Sequence, residues 1–246
     1  MLRSVKDLHR YVVHAMDGDI GRVGSLLFDD QTWAIRYLVC NLGIWLPGRS
    51  VLLAPIALGQ PHHETRMFPV TLTKEQVKNS PDIDTDKPVS RQQELALHRY
   101  YEWPIYWGAV EPVGGAPVPT PPPAIEVAEV LAGPRGNPHL QSTQEVIGYY
   151  IQASDGDIGH VEDFIADDAA WTMRYIVIDT RNWWPGKKVL VAPQWVTAVN
   201  WGESQVQVDL RCEDIKNSPE FDPAAPVNRE YEERLYDFYG RPKYWL

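Results

Sequence analysis

The chain has 246 residues, of which 44% are hydrophobic and 23% are charged, as in ordinary globular proteins. A net charge of −10 without a cluster of Lys and Arg argues against nucleic acid as a partner, because that binding depends on neutralised phosphates. The sequence has neither an apolar run of the ~18 residues that cross a bilayer nor a secretory signal. These features predict a cytoplasmic protein without a transmembrane segment.

One internal repeat dominates the chain, at an offset of 138 residues (155 − 17). The segment Asp17-Gly18-Asp19-Ile20-Gly21 recurs at residues 155–159, and about 38 of the 100 positions from 8 to 107 are identical to their partners. A unit of that size is too long for a solenoid repeat, so the sequence predicts a duplicated domain. We predict domains at residues 1–107 and 139–246, each ending in an aromatic tail, around a Pro/Gly-rich linker at residues 108–138.

The first predicted element of each copy is a β-hairpin. A short strand at residues 11–15 runs into Asp17-Gly18, a pair that favours a tight turn because Gly accepts positive φ at little cost. Gly21 then indicates a tight bend or a close approach of two backbones. The second copy repeats this turn and strand motif with Asp155, Gly156 and Gly159.

The next strand covers residues 33–40. Its alternation places one set of side chains on a single face: Trp33, Ile35, Tyr37 and Val39. Arg36 and its counterpart Arg174 lie mid-strand on the other face. We expect each to lie along the wall of its domain and to pair with Asp17, Asp19 or their equivalents, the alternative being an anion clamp or an electrostatic relay.

The remaining elements are short. Residues 51–53 predict a strand that ends at Ala54-Pro55, and a further strand follows near residues 68–72. Capping-box patterns predict two helices, one from Thr73 to Pro81 and the other over residues 90–101. The aromatic tails, at residues 100–107 and 238–245, should fold back over their own domain or across to the other one.

These elements resemble the PRC-barrel family. The resemblance rests on residues 17–23, 33–39 and 51–55 with their counterparts, and covers roughly residues 8–85 and 146–223. It implies a mainly β fold of two tandem PRC-type β-barrels with short helical appendages. Members include the cytoplasmic domain of the H subunit of photosynthetic reaction centres and half of a ribosome-maturation factor. The resemblance therefore implies a bacterial module for protein–protein contact, with no catalytic residues to carry over.

Motifs for catalysis or for cofactor binding do not occur in the sequence. It has no P-loop, no CxxC and no Ser/His/Asp set. His62-His63 with Glu64 offers metal-ligating side chains, but neighbouring residues of an extended chain point apart, which favours a solvated loop. We therefore predict no enzyme, no cofactor and no metal site.

Two loops are the candidates for partner docking. Trp45 and Leu46 precede a Pro-Gly turn in the first copy, and Trp183 and Trp184 do so in the second. Large apolar side chains are costly to leave in water, and Trp is enriched at binding hot spots. The loops either pack against a neighbouring domain or tail, or dock a protein partner, and both interpretations stay open.

The gapless duplication predicts that the two domains pair with pseudo-twofold symmetry, like a homodimer within one chain. For function we expect a non-catalytic interaction and assembly module, with peripheral association to a membrane as an option. One alternative is a subunit that supports the photosynthetic light reaction or electron transfer at a membrane face. The other is a sensor that binds a small molecule between the domains.

Overall fold

The computed structural model describes residues 1–43, 46–81, 88–107, 139–180 and 186–245. This part of the chain is mainly β, with two sheets and short helices. The strands of the first half are β1 Leu2–Ser4, β2 Val12–Ala15, β3 Gly18–Asp29, β4 Ile35–Asn41, β5 Ser50–Leu53 and β6 Met67–Pro69. Its helices are α1 Val5–Leu8, α2 Lys74–Lys78 and α3 Arg91–Tyr101, with a 3-10 turn at Pro55–Ala57.

The second half repeats this order of elements and adds one strand. Its strands are β7 Leu140–Ser142, β8 Tyr150–Ala153, β9 Gly156–Asp167, β10 Thr172–Asp179, β11 Lys188–Val191, β12 Val196–Asn200 and β13 Gln205–Val208. Its helices are α4 Thr143–Val146, α5 Cys212–Asn217 and α6 Arg229–Tyr239, with a 3-10 turn at Pro193–Trp195.

The two sheets have related strand orders. One runs β5-β4-β3-β2-β6 and the other β11-β10-β9-β8-β13-β12. The pairs β2–β6 and β8–β13 are parallel, and the other pairs along each order are antiparallel. Neither sheet closes into a barrel within the described ranges, so the structure bears out a mainly β fold but not the two closed barrels.

Each half lends its first strand to the sheet of the other half. β1 pairs antiparallel with β9 and places Leu2 opposite Asp167. β7 pairs antiparallel with β3 and places Leu140 opposite Asp29. The two pairings are related by the repeat offset, because Leu140 is the counterpart of Leu2 and Asp29 that of Asp167 (2 + 138 = 140, 167 − 138 = 29). The strand exchange is therefore reciprocal and follows the duplication.

Hydrogen bonds from residues in and beside the exchanged strands also connect them to the other half. Asp163 accepts hydrogen bonds from the Ser4 hydroxyl and, at 3.0 Å, from the Lys6 backbone N–H. At the other crossing, the buried Thr143 hydroxyl accepts a bond from the Leu26 N–H at 3.2 Å. Burial raises the pKa of Asp163 despite these hydrogen bonds. Both crossings are thus held by side chains as well as by strand pairing.

A pseudo-twofold axis passes between β4 and β10. Ala34 forms an isolated bridge with Thr172, which is its own partner in the repeat (34 + 138 = 172). The Ile35 N–H donates to the Trp171 carbonyl at 2.7 Å, and the repeat-related bond from β10 back to the first half is 2.9 Å. A hydrogen bond and its symmetry mate therefore flank the axis.

The strand predicted at residues 33–40 begins only at Ile35. Trp33 and Trp171 have φ values of 58° and 50°, in the left-handed region that bulky residues rarely adopt, so each forms part of a turn. A β-bulge at Arg36 then shifts the register with β3. Because of the bulge, Ile35 packs in the core shared by both halves and Tyr37 in a smaller core of the first half. The prediction that Ile35 and Tyr37 share a face is wrong.

The main core runs through both halves without a break. Phe28 and Phe164, which come from different halves, are both buried, and their ring centroids lie 5.8 Å apart. The smaller core packs against the sheet of the first half and includes one residue of the exchanged strand β7; it consists of Leu27, Tyr37, Val39, Leu52, Ala54, Val89, Leu97 and Leu140. A shared core and exchanged strands make the two halves one packed body.

The predicted helices of the first half are confirmed. Thr73 with Gln76 and Ser90 with Gln93 each make both hydrogen bonds of a capping box, at the starts of α2 and α3. In the second half Arg211 occupies the cap position of α5 without a side-chain cap bond, since Arg offers no acceptor. None of the helices in the described ranges is long and apolar enough to cross a membrane.

Candidate functional site

The aromatic tail of each half folds back over its own half. α3 is followed by Glu102 and α6 by Gly240, both in the left-handed conformation (φ 58° and 60°), which turns the chain sharply. The Trp103 N–H then donates to the His98 carbonyl at 2.9 Å, and the repeat-related bond is 3.1 Å long. Of the two arrangements that the sequence left open, the tails adopt the one within their own half.

A fully buried carboxylate holds the first tail. Glu94 has no exposed surface. Its Oε1 accepts hydrogen bonds from the Tyr37 hydroxyl at 3.1 Å and from the Tyr106 hydroxyl at 2.5 Å, and its Oε2 accepts one from Arg91 at 3.1 Å. Tyr37 belongs to β4, Arg91 to α3 and Tyr106 to the tail. Strand, helix and tail therefore meet on one carboxylate.

The second half contains the same cluster. Glu232 is 3% exposed, and its Oε1 accepts hydrogen bonds from Tyr175 at 2.7 Å and from Tyr244 at 2.8 Å. Arg229 lies 3.1 Å from its other oxygen. All four residue types recur at the repeat offset, although most surrounding positions differ between the halves.

Arg36 and Arg174 cover the tail tyrosines. Their guanidinium carbons lie 4.1 Å and 4.3 Å above the ring centroids of Tyr106 and Tyr244. The helix arginine of each cluster covers the tryptophan that follows, at 4.6 Å and 4.1 Å. Each tail thus presents two aromatic rings to two arginines.

The acidic partner of the strand arginines differs from the expected one. Arg36 Nη2 lies 3.3 Å from Asp29 Oδ2, and Arg174 makes the equivalent bond at the same distance. The expected pairing with Asp17 or Asp19 is therefore wrong, because the antiparallel register places the start of β4 beside the far end of β3. Burial alone would raise the pKa of Asp29, but its hydrogen bonds and the Arg36 charge outweigh burial and lower that pKa.

The tyrosines of both clusters stay protonated. Burial first, and then the neighbouring carboxylate, raises the pKa of Tyr37 and of Tyr106 far above the usual value, and raises that of Tyr244 to about 12. Each hydroxyl is therefore a hydrogen-bond donor at any physiological pH. Such a cluster is suited to holding an aromatic segment in place.

The two clusters differ at one position. His98 in the first half places Nε2 2.7 Å from the Tyr37 hydroxyl and Nδ1 2.8 Å from the Pro104 carbonyl. Its counterpart Tyr236 instead accepts a hydrogen bond from Gln194 at 3.0 Å. Burial lowers the pKa of His98, and in the neutral ring Nδ1 donates to the Pro104 carbonyl while Nε2 accepts. The single proton of the Tyr37 hydroxyl is therefore shared between His98 Nε2 and Glu94 Oε1.

The Asp residues of the predicted hairpin motif hold helix starts. Asp17 accepts the Lys74 backbone N–H at 2.8 Å, and Asp155 accepts that of Cys212 at 2.7 Å. These bonds satisfy amides at the first turns of α2 and α5. Both aspartates are therefore engaged within the fold.

The Gly residues of the same motif meet steric demands. Gly18 and Gly156 have φ values of 131° and 153°, which side chains rarely adopt. A Cβ on Gly21 or on Gly159 would lie 2.1 Å from a backbone carbonyl oxygen of the neighbouring strand. The close backbone approach predicted at Gly21 is confirmed.

The tryptophans of the two predicted docking loops, Trp45, Trp183 and Trp184, lie outside the described residues. Leu46 is described and packs, partly buried, against the main core. Its position agrees with the packing interpretation for this one side chain.

The stems of both loops are fixed. The Leu42 N–H donates to the Arg49 carbonyl, and the Thr180 N–H donates to the Lys187 carbonyl, both at 3.0 Å. Arg49 also donates to the Ser80 carbonyl at 2.6 Å, and Lys187 makes the repeat-related bond at the end of α5. A basic side chain therefore ties each loop base to the end of a short helix.

An open groove of about 540 Å³ lies at the base of the second loop. It is lined by Asp179, Gly186, Lys187, Lys188, Glu220, Phe221, Asp222 and Pro223. The volume falls in the range of small-molecule sites, and the lining mixes both signs of charge.

One group in the described ranges brings together three potential metal ligands. The ligand atoms of His160, Glu162 and Asp179 lie within 4.8 Å of one another. Glu162 Oε1, however, already receives the ammonium groups of Lys6 at 2.8 Å and Lys188 at 3.2 Å. This arrangement favours an ion-pair network between the halves over a cation site.

The sequence did not single out Glu94, Glu232 or the arginines beside them. An acidic residue on a short helix resembles any solvated position, and only its burial reveals its role. The available signal was the repeat: strand Tyr, helix Arg, helix Glu and tail Tyr all recur at one offset.

Comparisons of the chain with protein-family models and with curated proteins found no match. The PRC-barrel resemblance therefore rests on the sequence motifs alone.

Proposed function

We propose that the chain is a non-catalytic assembly module that binds another protein through its two Trp-x-Pro-Gly loops, at residues 45–48 and 183–186. The observation that carries this proposal is the pair of fixed loop stems, each closed by a hydrogen bond and tied to a helix end by Arg49 or Lys187. A loop with a fixed base loses less conformational freedom when a partner binds.

The loop sequences suit a protein partner. Trp45 in the first loop, and Trp183 with Trp184 in the second, supply the large aromatic area that is common at binding hot spots. The second loop carries one more tryptophan than the first, so we expect it to contribute more to the affinity.

The same proposal includes two PRC-type barrels, each completed by the first strand of the other. It also includes a cytoplasmic location, with contact to a membrane only through the partner. The support is the Asp-Gly hairpin motif and the order of short strands and capped helices that the resemblance implies. A role in the photosynthetic light reaction stays a prediction from the resemblance.

Partner capture from the native cell extract tests the proposal, with soluble and membrane fractions kept apart. The baits are the parent chain, a Trp183→Ala/Trp184→Ala variant, and a Tyr150→Ala control that removes an aromatic 59% exposed on β8. We expect a partner that binds the parent and the control but not the loop variant, also with purified components. A partner that binds all three equally would contradict docking through the second loop.

A small-molecule sensor is the second candidate, favoured by the groove of about 540 Å³. The groove lies at the base of the second loop and not between the halves, where the sequence placed it. The lining combines Lys187 and Lys188 with Glu220 and Asp222, which suits a small zwitterion. A metabolite that raises the melting temperature of the parent but not of Lys188→Ala would support this candidate, and equal shifts in both would exclude this groove as its site.

A further inference from the structure

The two aromatic tails share the pattern Pro-x-Tyr-Trp, at residues 104–107 and 242–245. The neighbouring positions differ between the tails: Trp103 against Arg241 before the proline, and Ile105 against Lys243 at x. No described contact joins these four side chains to a buried glutamate. Of the residues that the two tails retain, the tyrosine and the tryptophan are the ones that the clusters hold in both halves.

The groove of the second half recognises the tyrosine by two groups. The hydroxyl of Tyr244 donates to the buried Glu232 at 2.8 Å, and Arg174 lies 4.3 Å above the ring. A phenylalanine at this position would keep the cation–π contact with Arg174 but would leave the Glu232 carboxylate with one hydrogen-bond donor fewer. The site therefore discriminates between the two aromatic residues.

The same groove also holds the tryptophan. Arg229 lies 4.1 Å above the ring of Trp245, and the Tyr236 ring meets it edge to face at 5.1 Å. Trp107 in the first half has an arginine at 4.6 Å and an aromatic edge at 5.3 Å. Two divergent halves hold the same side chain in the same way.

The parts that form this groove belong to β10 and α6, and none comes from the tail. We call the set of Arg174, Tyr175, Arg229, Glu232 and Tyr236 the tail groove. We propose that the tail groove is a recognition site for Pro-x-Tyr-Trp peptides, and that the chain's own tail is a built-in occupant. A segment of another protein with the same pattern replaces it.

Gly240 lies at the point where the tail departs from α6. Its φ of 60° lies in the left-handed region, and a Cβ there would have nothing within 4 Å. A tethered tail competes at an effective concentration in the millimolar range, so a partner segment binds well only once the tail is displaced. The tail is thus an autoinhibitory contact.

A peptide titration of the full-length chain tests this proposal. Tyr244→Ala/Trp245→Ala empties the groove, and the probe is a labelled peptide of residues 240–245, Gly-Arg-Pro-Lys-Tyr-Trp. We expect this variant to bind the peptide at least ten-fold more tightly than the parent does. A peptide with Phe in place of Tyr should bind about ten-fold more weakly, and adding Glu232→Gln should reduce that preference.

Circular dichroism establishes that each variant is folded. If the double variant does not fold, Tyr244→Phe weakens only the hydroxyl contact, and the Tyr peptide should then displace the tail at a lower concentration than in the parent. Folded variants that take up no peptide, or that bind Tyr and Phe peptides equally, overturn the proposal. Because the tail groove and the Trp loops share no residue, this failure leaves loop docking untouched.

Discussion

Replacing Gly21 by Ala should disrupt the junction of β3 and β4. The new Cβ would lie 2.1 Å from the Asn41 carbonyl oxygen, and Cβ atoms essentially never come within 3.0 Å of such a neighbour. Because the neighbour is backbone, the strands must separate by about 0.9 Å (3.0 − 2.1) or lose the pairing of Arg22 with Asn41. Overpacking of this kind costs about 3 kcal/mol. For a chain of this size the melting temperature should fall by about 6–12 °C.

Three further glycines separate the clash from backbone strain. Gly43→Ala meets a positive φ of 57° in open space, so it should cost about 1 kcal/mol and lower the melting temperature by about 2–4 °C. Gly202→Ala meets neither obstacle and should leave stability unchanged within about 1 kcal/mol. Gly159→Ala combines a φ of 145° with a contact of 2.1 Å, and should be the most destabilising of the four.

Thermal unfolding followed by circular dichroism ranks the four variants. The predicted order of damage is Gly159→Ala, Gly21→Ala, Gly43→Ala and then Gly202→Ala. A Gly21→Ala protein that melts within 2 °C of the parent, or a Gly43→Ala protein that melts below Gly21→Ala, would refute this reasoning.

Two other predictions concern the buried clusters. Tyr175→Phe removes a donor 2.7 Å from the Glu232 carboxylate and should lower the free energy of unfolding in urea by about 1.5–3 kcal/mol. The control Tyr150→Phe, at an exposed position, should change it by no more than about 0.5 kcal/mol. Equal losses in the two variants would contradict the cluster's role. Burial lowers the pKa of His98, so the unfolded chain takes up that proton more readily and stability should fall as pH drops below about 6.5. His98→Gln should reduce the loss of stability between about pH 7 and pH 5. Part of the loss that remains should come from His9, whose pKa burial also lowers. A variant whose stability depends on pH as the parent's does would contradict this prediction.

Elements with local signals follow from the sequence. The capping boxes at Thr73 and Ser90 mark helix starts because the bonding groups are only three residues apart. The hairpin at Asp17-Gly18 is equally local, since the turn itself requires those residues.

The strand exchange has no local signal. β1 and β7 have only three residues each. Their pairing across the halves depends on residues far away in sequence, 165 positions for Leu2 (167 − 2) and 111 for Leu140 (140 − 29). The bulge at Arg36 is similar, because an extra residue in one strand shows only against its partner. Period-two alternation therefore assigned Ile35 to the wrong face.

The buried glutamates illustrate a different limit. Glu94 follows three polar residues at the start of α3, and it is buried in contact with Tyr37 of β4 and Tyr106 of the tail. Tertiary packing decides that burial, and the helix pattern does not record it.

Cleaving the linker tests most directly whether the two halves form one body. A protease site inserted between Gly114 and Gly115 would separate the chain into two pieces, each of which lends a strand to the other. The exchanged strands and the common core predict that the cut pieces elute together at micromolar concentration and unfold in one transition. Pieces that elute apart while each remains folded would contradict the shared body that carries both the loops and the tail groove.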